Sequence, residues 1–313
     1  MKAIILAAGY GTRLRPLSDR LPKPLMPVVG QPLIRHTIMK LRQCKISAVG
    51  INAHHKDRMV REFLCCEDFA IPVTLSREEI IMGVAGGIGG FRDFLTGEDF
   101  FMVHNGDILS SIPLESMISD YGKQGPLCSM ILHDEPAFNN VSVDEKDRIV
   151  DIRDTLRPPH AVRKLAYTGI AFMDADFLRH IPVGGYADLV PLLLAAVRNE
   201  PGAVRGIVVK GNAWRDIGTV AGYLDAHRDI LLARKPLIDE HLVPRGAVFL
   251  GEGTRIADDV EIEGFVSAGK NCVVGKGCRL ENCVLWDNSV VAQGTSVKNA
   301  VVADGMVVYE HSR

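Results

Sequence analysis

Leu6-Ala7-Ala8-Gly9-Tyr10-Gly11-Thr12-Arg13-Leu14-Arg15-Pro16-Leu17, followed by Pro22-Lys23-Pro24-Leu25, is the stretch on which the reading of this chain turns. It follows directly from Ala3-Ile4-Ile5-Leu6, an apolar run that reads as a buried strand. A strand running into a glycine turn fits the first βα crevice of a doubly wound sheet, where ligands bind at the carboxyl ends of the strands. Glycines let backbone N–H groups approach phosphate oxygens closely. Arg13 adds a fork of donors and Lys23 a mobile point charge. Two other phosphate loops are excluded by spacing: Leu14 stands where a dinucleotide fingerprint needs its third glycine, and no Gly-Lys-Ser/Thr of a Walker A loop follows. A bare Gly-x-Gly is more often a tight turn, but the full string with Lys23 between prolines is far more specific.

Outward from this segment, residues 1–235 alternate short apolar runs with amphipathic stretches of helix length. Ala3–Leu6, Ala48–Asn52, Val73–Ser76, Phe100–His104, Leu127–His133 and Ile170–Met173 read as strands. Pro32–Cys44, Asp57–Cys65, Ala85–Leu95, Ala187–Arg198 and Val220–Ala233 read as helices. The alternation predicts an α/β domain, a Rossmann-like, mostly parallel mixed sheet with helices on both faces. The pattern changes near Arg234-Lys235-Pro236, which sets the expected boundary between domains 1–235 and 236–313. Val248, Thr254, Val260, Val266, Cys272 and Cys278 then recur every six residues, and after one-residue slips the series continues through Cys283, Ser289, Thr295, Ala300 and Met306. An aliphatic series two residues behind, from Leu250 and Ile256 to Val302 and Val308, keeps step with it. Such hexapeptide periodicity predicts a parallel β-helix, each repeat covering the core of the one before.

The bulk numbers narrow the function. Hydrophobic residues make up 47 % and charged residues 24 % of 313 residues, enough for a real core. A formal net charge of -2 supplies no bulk attraction to nucleic acid or an anionic membrane, so neither is an expected partner. No apolar run approaches the ~20 residues needed to span a bilayer. Seven scattered cysteines, with Cys65 and Cys66 adjacent, form no disulfide framework, and a reducing cytoplasm is expected. Cys272, Cys278 and Cys283 read as small core residues.

Gly9 to Leu14 with Lys23-Pro24 resembles the signature of the nucleotidyltransferases that make sugar nucleotides, the NDP-sugar pyrophosphorylases: Gly-x-Gly-Thr-Arg-Leu, then Lys-Pro about ten residues on. The resemblance covers essentially the full chain. It implies an enzyme that joins a sugar 1-phosphate to a nucleoside triphosphate and releases pyrophosphate. Several members append a β-helix of the left-handed form. The run Gly9–Leu17 looks especially like mannose-1-phosphate guanylyltransferases and so implies GTP, whereas Ala7-Ala8 is seen more in uridylyl-type members.

Asp107, after the strand Phe100–His104, stands at a carboxyl end that faces the same crevice, and Asp216 sits in Trp214-Arg215-Asp216-Ile217-Gly218-Thr219. Hard Mg²⁺ prefers carboxylate oxygens plus phosphates and takes only one or two protein ligands. Taken alone, Asp216 reads as a helix N-cap; the resemblance instead implies that Asp107 and Asp216 hold Mg²⁺. It further implies nucleotide binding by Leu6, Ala7, Ala8, Gly9, Gly11, Thr12, Arg13, Lys23, Asp107 and, from the segment Met82–Ile88, by Ala85, Gly86 and Gly87. Arg13, Lys23 and Asp107 carry the implied catalysis, and Asn140, Thr168 and Gly169 the implied sugar contacts. His104 reads as a packed strand histidine.

There are two departures. Val84 replaces the family's threonine on the base side, and Arg153-Asp154-Thr155-Leu156 stands where most members carry Glu-Lys-Pro, whose lysine holds the sugar phosphate. Arg163 or Lys164 could substitute, against a plainer role as solvated surface charge. Three alternatives therefore stay open. One is a uridylyl- or thymidylyltransferase acting on glucose, N-acetylated amino sugar or heptose 1-phosphate. Another is a non-catalytic regulatory relative. The last is an acyltransferase with its chemistry in the β-helix, which is disfavoured because the repeat from Val248 holds no histidine before His311. The β-helix is expected to build a homo-oligomer.

Overall fold

The computed structural model describes residues 1–122 and 125–310; His311 lies outside them. Contacts divide the chain into two compact units: Met1–Gly9, Leu41–Gly106 and Ile112–Asn212 form one, and Tyr10–Lys40, Asp107–Ser111 and Ala213–Arg313 the other.

The first unit is mixed α/β around a parallel-rich, Rossmann-like sheet. Nine strands take part, in the order Ile149–Ile152, Val141–Val143, Arg163–Asp174, Phe100–Asn105, Ala3–Leu6, Val49–Ala53, Val73–Arg77, while Cys128–His133 joins Arg163–Asp174 to Val204–Val208. Ala3–Leu6 lies parallel to both Val49–Ala53 and Phe100–Asn105. Ala3, Ile4 and Ile5 are fully buried, as in central parallel strands, which explains their unbroken apolar run. Arg163–Asp174 runs antiparallel to its neighbours and is longer than the predicted Ile170–Met173. Its first residues, Arg163 and Lys164, pair with Val143 and Ser142 but are exposed, so their charge hid the strand. Between Tyr167 and Ala171 its register against Cys128–His133 shifts.

The predicted helix Ala85–Leu95 is shorter, Gly83–Gly89. Each glycine in it costs ~1 kcal/mol of helix propensity relative to alanine, and the chain leaves the helix at Gly90. The other predicted helices occur with small end shifts, as Leu33–Gln43, Asp57–Cys66, Leu189–Asn199 and Val220–Leu231, and Leu114–Tyr121 adds another. Among the described residues no helix is long and apolar enough to cross a membrane.

In the second unit the glycine turn leads into three 3₁₀ turns, Thr12–Leu14, Leu17–Asp19 and Lys23–Leu25. Pro16, Pro22 and Pro24 remove the N–H groups that a longer helix would use. From Val248 onward the chain forms stacked short strands. Parallel registers link Val248, Val266, Cys283 and Ala300 in one column and Ile256, Val274 and Val291 in another. These are the two sequence series seen in cross-section. The one-residue slip after Cys278 falls at a register shift after Glu263, where Asn282 and Asn299 both take positive φ. Asn282 Nδ2 donates to Asn299 Oδ1 at 3.0 Å there. Cys272, Cys278 and Cys283 are buried, and their thiols donate to the carbonyls of Trp286, Ala292 and Val297 one layer on. All seven cysteines are free. The strand Met306–Tyr309 turns back antiparallel on Ser296–Ala303 and covers that edge.

Helix Val220–Leu231 packs across these strands: Tyr223, Leu224 and Ile230 share a buried cluster with Phe265, Val284, Trp286 and Val301. The same helix clamps the hairpin of Pro27–Val28 and Gln31–Pro32. Trp286 Nε1 donates to the Tyr223 hydroxyl at 3.2 Å, and that hydroxyl donates to the Pro27 carbonyl. Val29 N–H donates to His227 Nε2 at 3.3 Å, and His36 Nε2 bonds the Val28 carbonyl at 3.0 Å.

Burial holds both imidazoles neutral. It lowers His36 from 6.5 to about 4 against the opposing Val28 carbonyl, with Arg35 lowering it further. It lowers His227 to about 4 against the Tyr223 carbonyl, with His36 adding to the depression. Between pH 6.5 and about 4 the folded state thus binds fewer protons than the unfolded chain. The stability these groups contribute is complete above that window and is lost as pH falls through it, on the order of 3 kcal/mol per imidazole. We expect the urea midpoint to drop between about pH 7 and 4.5, and to drop less steeply in His227→Gln. Equal slopes in the two proteins would exclude His227 as a source of the effect.

Candidate active site

In the second unit, Gly11 takes φ 64 and opens the turn Thr12–Leu14, whose Leu14 N–H bonds the Gly11 carbonyl at 2.9 Å. That left-handed conformation is why glycine stands there. Gly9, the last residue of the first unit, is exposed, and so are Thr12 and Arg13. Lys23 is fixed at the backbone by its own 3₁₀ turn between two prolines, with its stem beside Gly11.

Asp107 and Asp216 are brought together by a short antiparallel ribbon. Ile108–Ser110 pairs with Trp214–Asp216, placing Asp216 opposite Ile108, and Ile217 N–H donates to the Asp107 carbonyl at 2.9 Å. Around it, Ser111 N–H bonds the Ala213 carbonyl at 2.9 Å, Ser111 Oγ accepts from Ala213 N–H at 2.8 Å, and Lys40 Nζ donates to Ser110 Oγ at 3.0 Å. Arg215 turns to the helix Val220–Leu231, its Nε 2.6 Å from Asp229 Oδ2, and Lys235 Nζ lies 3.0 Å from Asp229 Oδ1. Asp216 is no helix cap: Thr219 caps that helix, its hydroxyl accepting from Gly222 N–H at 3.0 Å.

Lys23 Nζ sits 2.5 Å from Asp107 Oδ2 and 4.0 Å from Asp216 Oδ1. Gly218 leaves room for the Arg13 guanidinium: a Cβ there would come within 2.6 Å of Arg13 Nη2 and 2.9 Å of Asp216 Oδ1. Burial raises the Asp216 carboxyl above the usual carboxylate range; Asp107 adds to the rise, and Lys23 and Arg13 oppose it. Side-chain exposures of 14 % for Lys23, 30 % for Asp107 and 18 % for Asp216 make these charges partly desolvated. Two unit charges 4 Å apart in such surroundings interact by about 4 kcal/mol before desolvation is counted.

The donor set fits a hard divalent cation. Two carboxylates lie side by side, and Asp216 Oδ1 is buried with no hydrogen-bond partner among the described residues. No group of three or more His, Cys, Asp or Glu able to hold a metal occurs among the described residues. A hard divalent cation can be held by one or two protein carboxylates, with phosphate and water filling the rest of its shell.

In the first unit, Leu6 ends its strand and Ala7 N–H donates to Asn52 Oδ1 at 2.7 Å. Asn52 Nδ2 donates to Glu78 Oε1 at 2.7 Å, and Glu78 Oε2 accepts from Met82 N–H at 2.9 Å. This buried chain ties the start of the glycine turn to the start of the glycine helix. Ala8 is buried, as are Ala85, Gly86 and Gly87 within that helix, and the Ala85 and Gly86 N–H groups donate to the Ala187 carbonyl. Thr168 is fully buried and its hydroxyl donates to the Ile131 carbonyl at 2.8 Å. Gly169 takes φ 83 beside it. Asn140 is exposed; its carbonyl accepts from Arg153 N–H at 2.7 Å. Arg163 and Lys164 pair on the surface with Asp147 and Asp154. His104 is buried, its Nδ1 2.7 Å from the Asn105 carbonyl.

The family model described as nucleotidyl transferase matches residues 2–232. The chain belongs to the nucleotidyl transferase family. A second model, described as the GMPPB C-terminal domain, matches residues 244–313. Mannose-1-phosphate guanylyltransferase 1 of Arabidopsis thaliana is 30 % identical over 91 % of this chain and 81 % of its own. A UTP–glucose-1-phosphate uridylyltransferase of Synechocystis is 26 % identical over 92 % and 84 %. A solved chain from Bacillus anthracis, assigned as a glucose-1-phosphate thymidylyltransferase and bound to sucrose, superposes with a TM-score of 0.65 at 25 % identity, covering 77 % of this chain and 98 % of that one.

In this member of the family the residues that sequence reasoning missed are Asn52, Glu78 and Arg215. A polar residue closing the apolar run Val49–Ile51 was the available signal for Asn52: a buried amide at a strand end needs partners. We expect Asn52→Ala to destabilise the protein by about 1–3 kcal/mol, because it leaves the Ala7 N–H and a Glu78 oxygen unpaired. Calorimetry checks this; an unchanged melting temperature would mean that water replaces the amide.

Proposed function

We propose that this chain joins a sugar 1-phosphate to a nucleoside triphosphate and releases pyrophosphate, with GTP and mannose 1-phosphate as its substrates. The observation that carries the reaction is the cluster of Lys23, Asp107, Asp216 and Arg13, two carboxylates and two cations beside a glycine turn. The Arabidopsis relative and the C-terminal match at residues 244–313 support the guanylyl and mannose assignment. The Synechocystis relative favours a second reading, uridylyl transfer to glucose 1-phosphate.

In the proposed mechanism Gly9, Gly11, Thr12 and Arg13 bind the triphosphate, and Asp107 and Asp216 are the residues that would hold Mg²⁺. When bound, Mg²⁺ would neutralise phosphate charge and polarise the phosphorus under attack. A sugar-phosphate oxygen is already ionised near neutral pH, so its attack on the α-phosphorus needs no strong general base. Arg13 stabilises the departing pyrophosphate and Lys23 the α- and sugar phosphates, so that catalysis is positioning plus charge stabilisation. Leu6, Ala7 and Ala8 support the nucleotide, Ala85, Gly86 and Gly87 lie against the base, and Asn140, Thr168 and Gly169 line the sugar side. Thr168 acts there through its backbone, since its hydroxyl is engaged inside the sheet.

Residues 1–235 form the catalytic domain under this reading, and residues 236–313 a left-handed β-helix through which copies associate. The repeated parallel registers support the β-helix, and seven free cysteines support a cytoplasmic setting. Pyrophosphate release, measured with each triphosphate against mannose, glucose, heptose and N-acetylated sugar 1-phosphates, tests the assignment. We expect GTP with mannose 1-phosphate to be the fastest pair. Lys23→Ala and Asp107→Asn should each lose on the order of 10²–10³ in turnover. Near-full turnover in either variant would falsify the roles given to these residues.

A further inference from the structure

We infer that Lys23 has a second role: in the nucleotide-free protein its ammonium group occupies the place of the divalent cation, and the metal enters by displacing it. This rests on the reading of Asp107 and Asp216 as metal carboxylates.

The geometry carries the inference. Lys23 Nζ is 2.5 Å from Asp107 Oδ2 and 4.0 Å from Asp216 Oδ1, so one ammonium group serves both carboxylates. Asp216 Oδ1 has no hydrogen-bond partner of its own among the described residues. A divalent cation bound to the same oxygens would stand within a few ångströms of a positive charge, among side chains that are largely shielded from solvent. The two cations exclude each other, and one must leave. Lys23 is the one equipped to move: its four-carbon stem is flexible, while its backbone is held between Pro22 and Pro24 in a 3₁₀ turn. Its stem starts beside Gly11, so the swung ammonium group stays next to the turn Gly11–Arg13, where triphosphate oxygens are proposed to lie. The metal and the triphosphate then help each other. The metal frees Lys23 for phosphate, and phosphate gives the freed ammonium group a partner. By linkage the coupling is reciprocal. The free protein should hold metal weakly, and removal of the Lys23 charge should strengthen binding even though it impairs turnover.

Mn²⁺ binding to the nucleotide-free full chain, followed by electron paramagnetic resonance or calorimetry near pH 8, tests this. Lys23→Met keeps the length of the stem and removes the charge; Lys23→Gln serves if the first variant does not fold by circular dichroism. We expect either variant to bind Mn²⁺ at least ~10-fold more tightly than the wild type, about 1.4 kcal/mol, and Asp107→Asn added to it to abolish the gain. Equal or weaker binding in the Lys23 variants, with Asp107→Asn still reducing Mn²⁺ affinity, would overturn the exchange and leave the carboxylate site standing. Mn²⁺ binding indifferent to Asp107→Asn and Asp216→Asn alike would overturn the site, and the exchange with it.

Discussion

The ribbon formed by Ile108–Ser110 and Trp214–Asp216 is the constraint on which the candidate site depends. Its register puts Asp216 opposite Ile108 and ties Ile217 N–H to the Asp107 carbonyl, so two carboxylates far apart in the chain become neighbours. Two like charges side by side repel, and an isolated ribbon of this length has little stability of its own. It is held from outside: Lys40 and Ser111 anchor one strand, and the Arg215–Asp229 ion pair anchors the other to helix Val220–Leu231. Those groups are the structural cost of keeping Asp107 and Asp216 together.

Charge balance explains why the cluster is tolerated in the folded protein. Burial and Asp107 both push the Asp216 carboxyl toward protonation, while Lys23 and Arg13 pull it back. The site is therefore built around compensation rather than around a resident neutral core. Carboxylates balanced by lysine and arginine side chains rather than by a closed hydrogen-bond shell suit the binding of a further cation. Preorganised charge of this sort suits phosphoryl chemistry, where the protein supplies position and field rather than a covalent step.

Much of the fold was legible because its signals are local. Ala3–Leu6 is an unbroken apolar run that became a parallel strand with Ala3, Ile4 and Ile5 fully buried. The six-residue series after Val248 became columns of paired residues, and even its phase slip matches a register shift at Asn282. Where local signals conflicted, the reading lost accuracy. Glycines shortened the helix expected at Ala85–Leu95 to Gly83–Gly89. The charged start of Arg163–Asp174 concealed a strand whose partners lie elsewhere in the sequence.

By itself the sequence pointed to residues suited to phosphate: glycines for close backbone approach, Arg13 and Lys23 for charge, and Asp107 and Asp216 as carboxylates. It also determined the period of the C-terminal strands, because a repeat of six repeats its inward side chains. Only the tertiary structure decided what those groups do to one another. That Lys23 lies between Asp107 and Asp216, that Gly218 yields space to Arg13, and that Asn52 ties Ala7 to Glu78 are facts of long-range packing. No periodicity encodes such contacts, because they join residues whose spacing in the chain carries no relation to their distance in space.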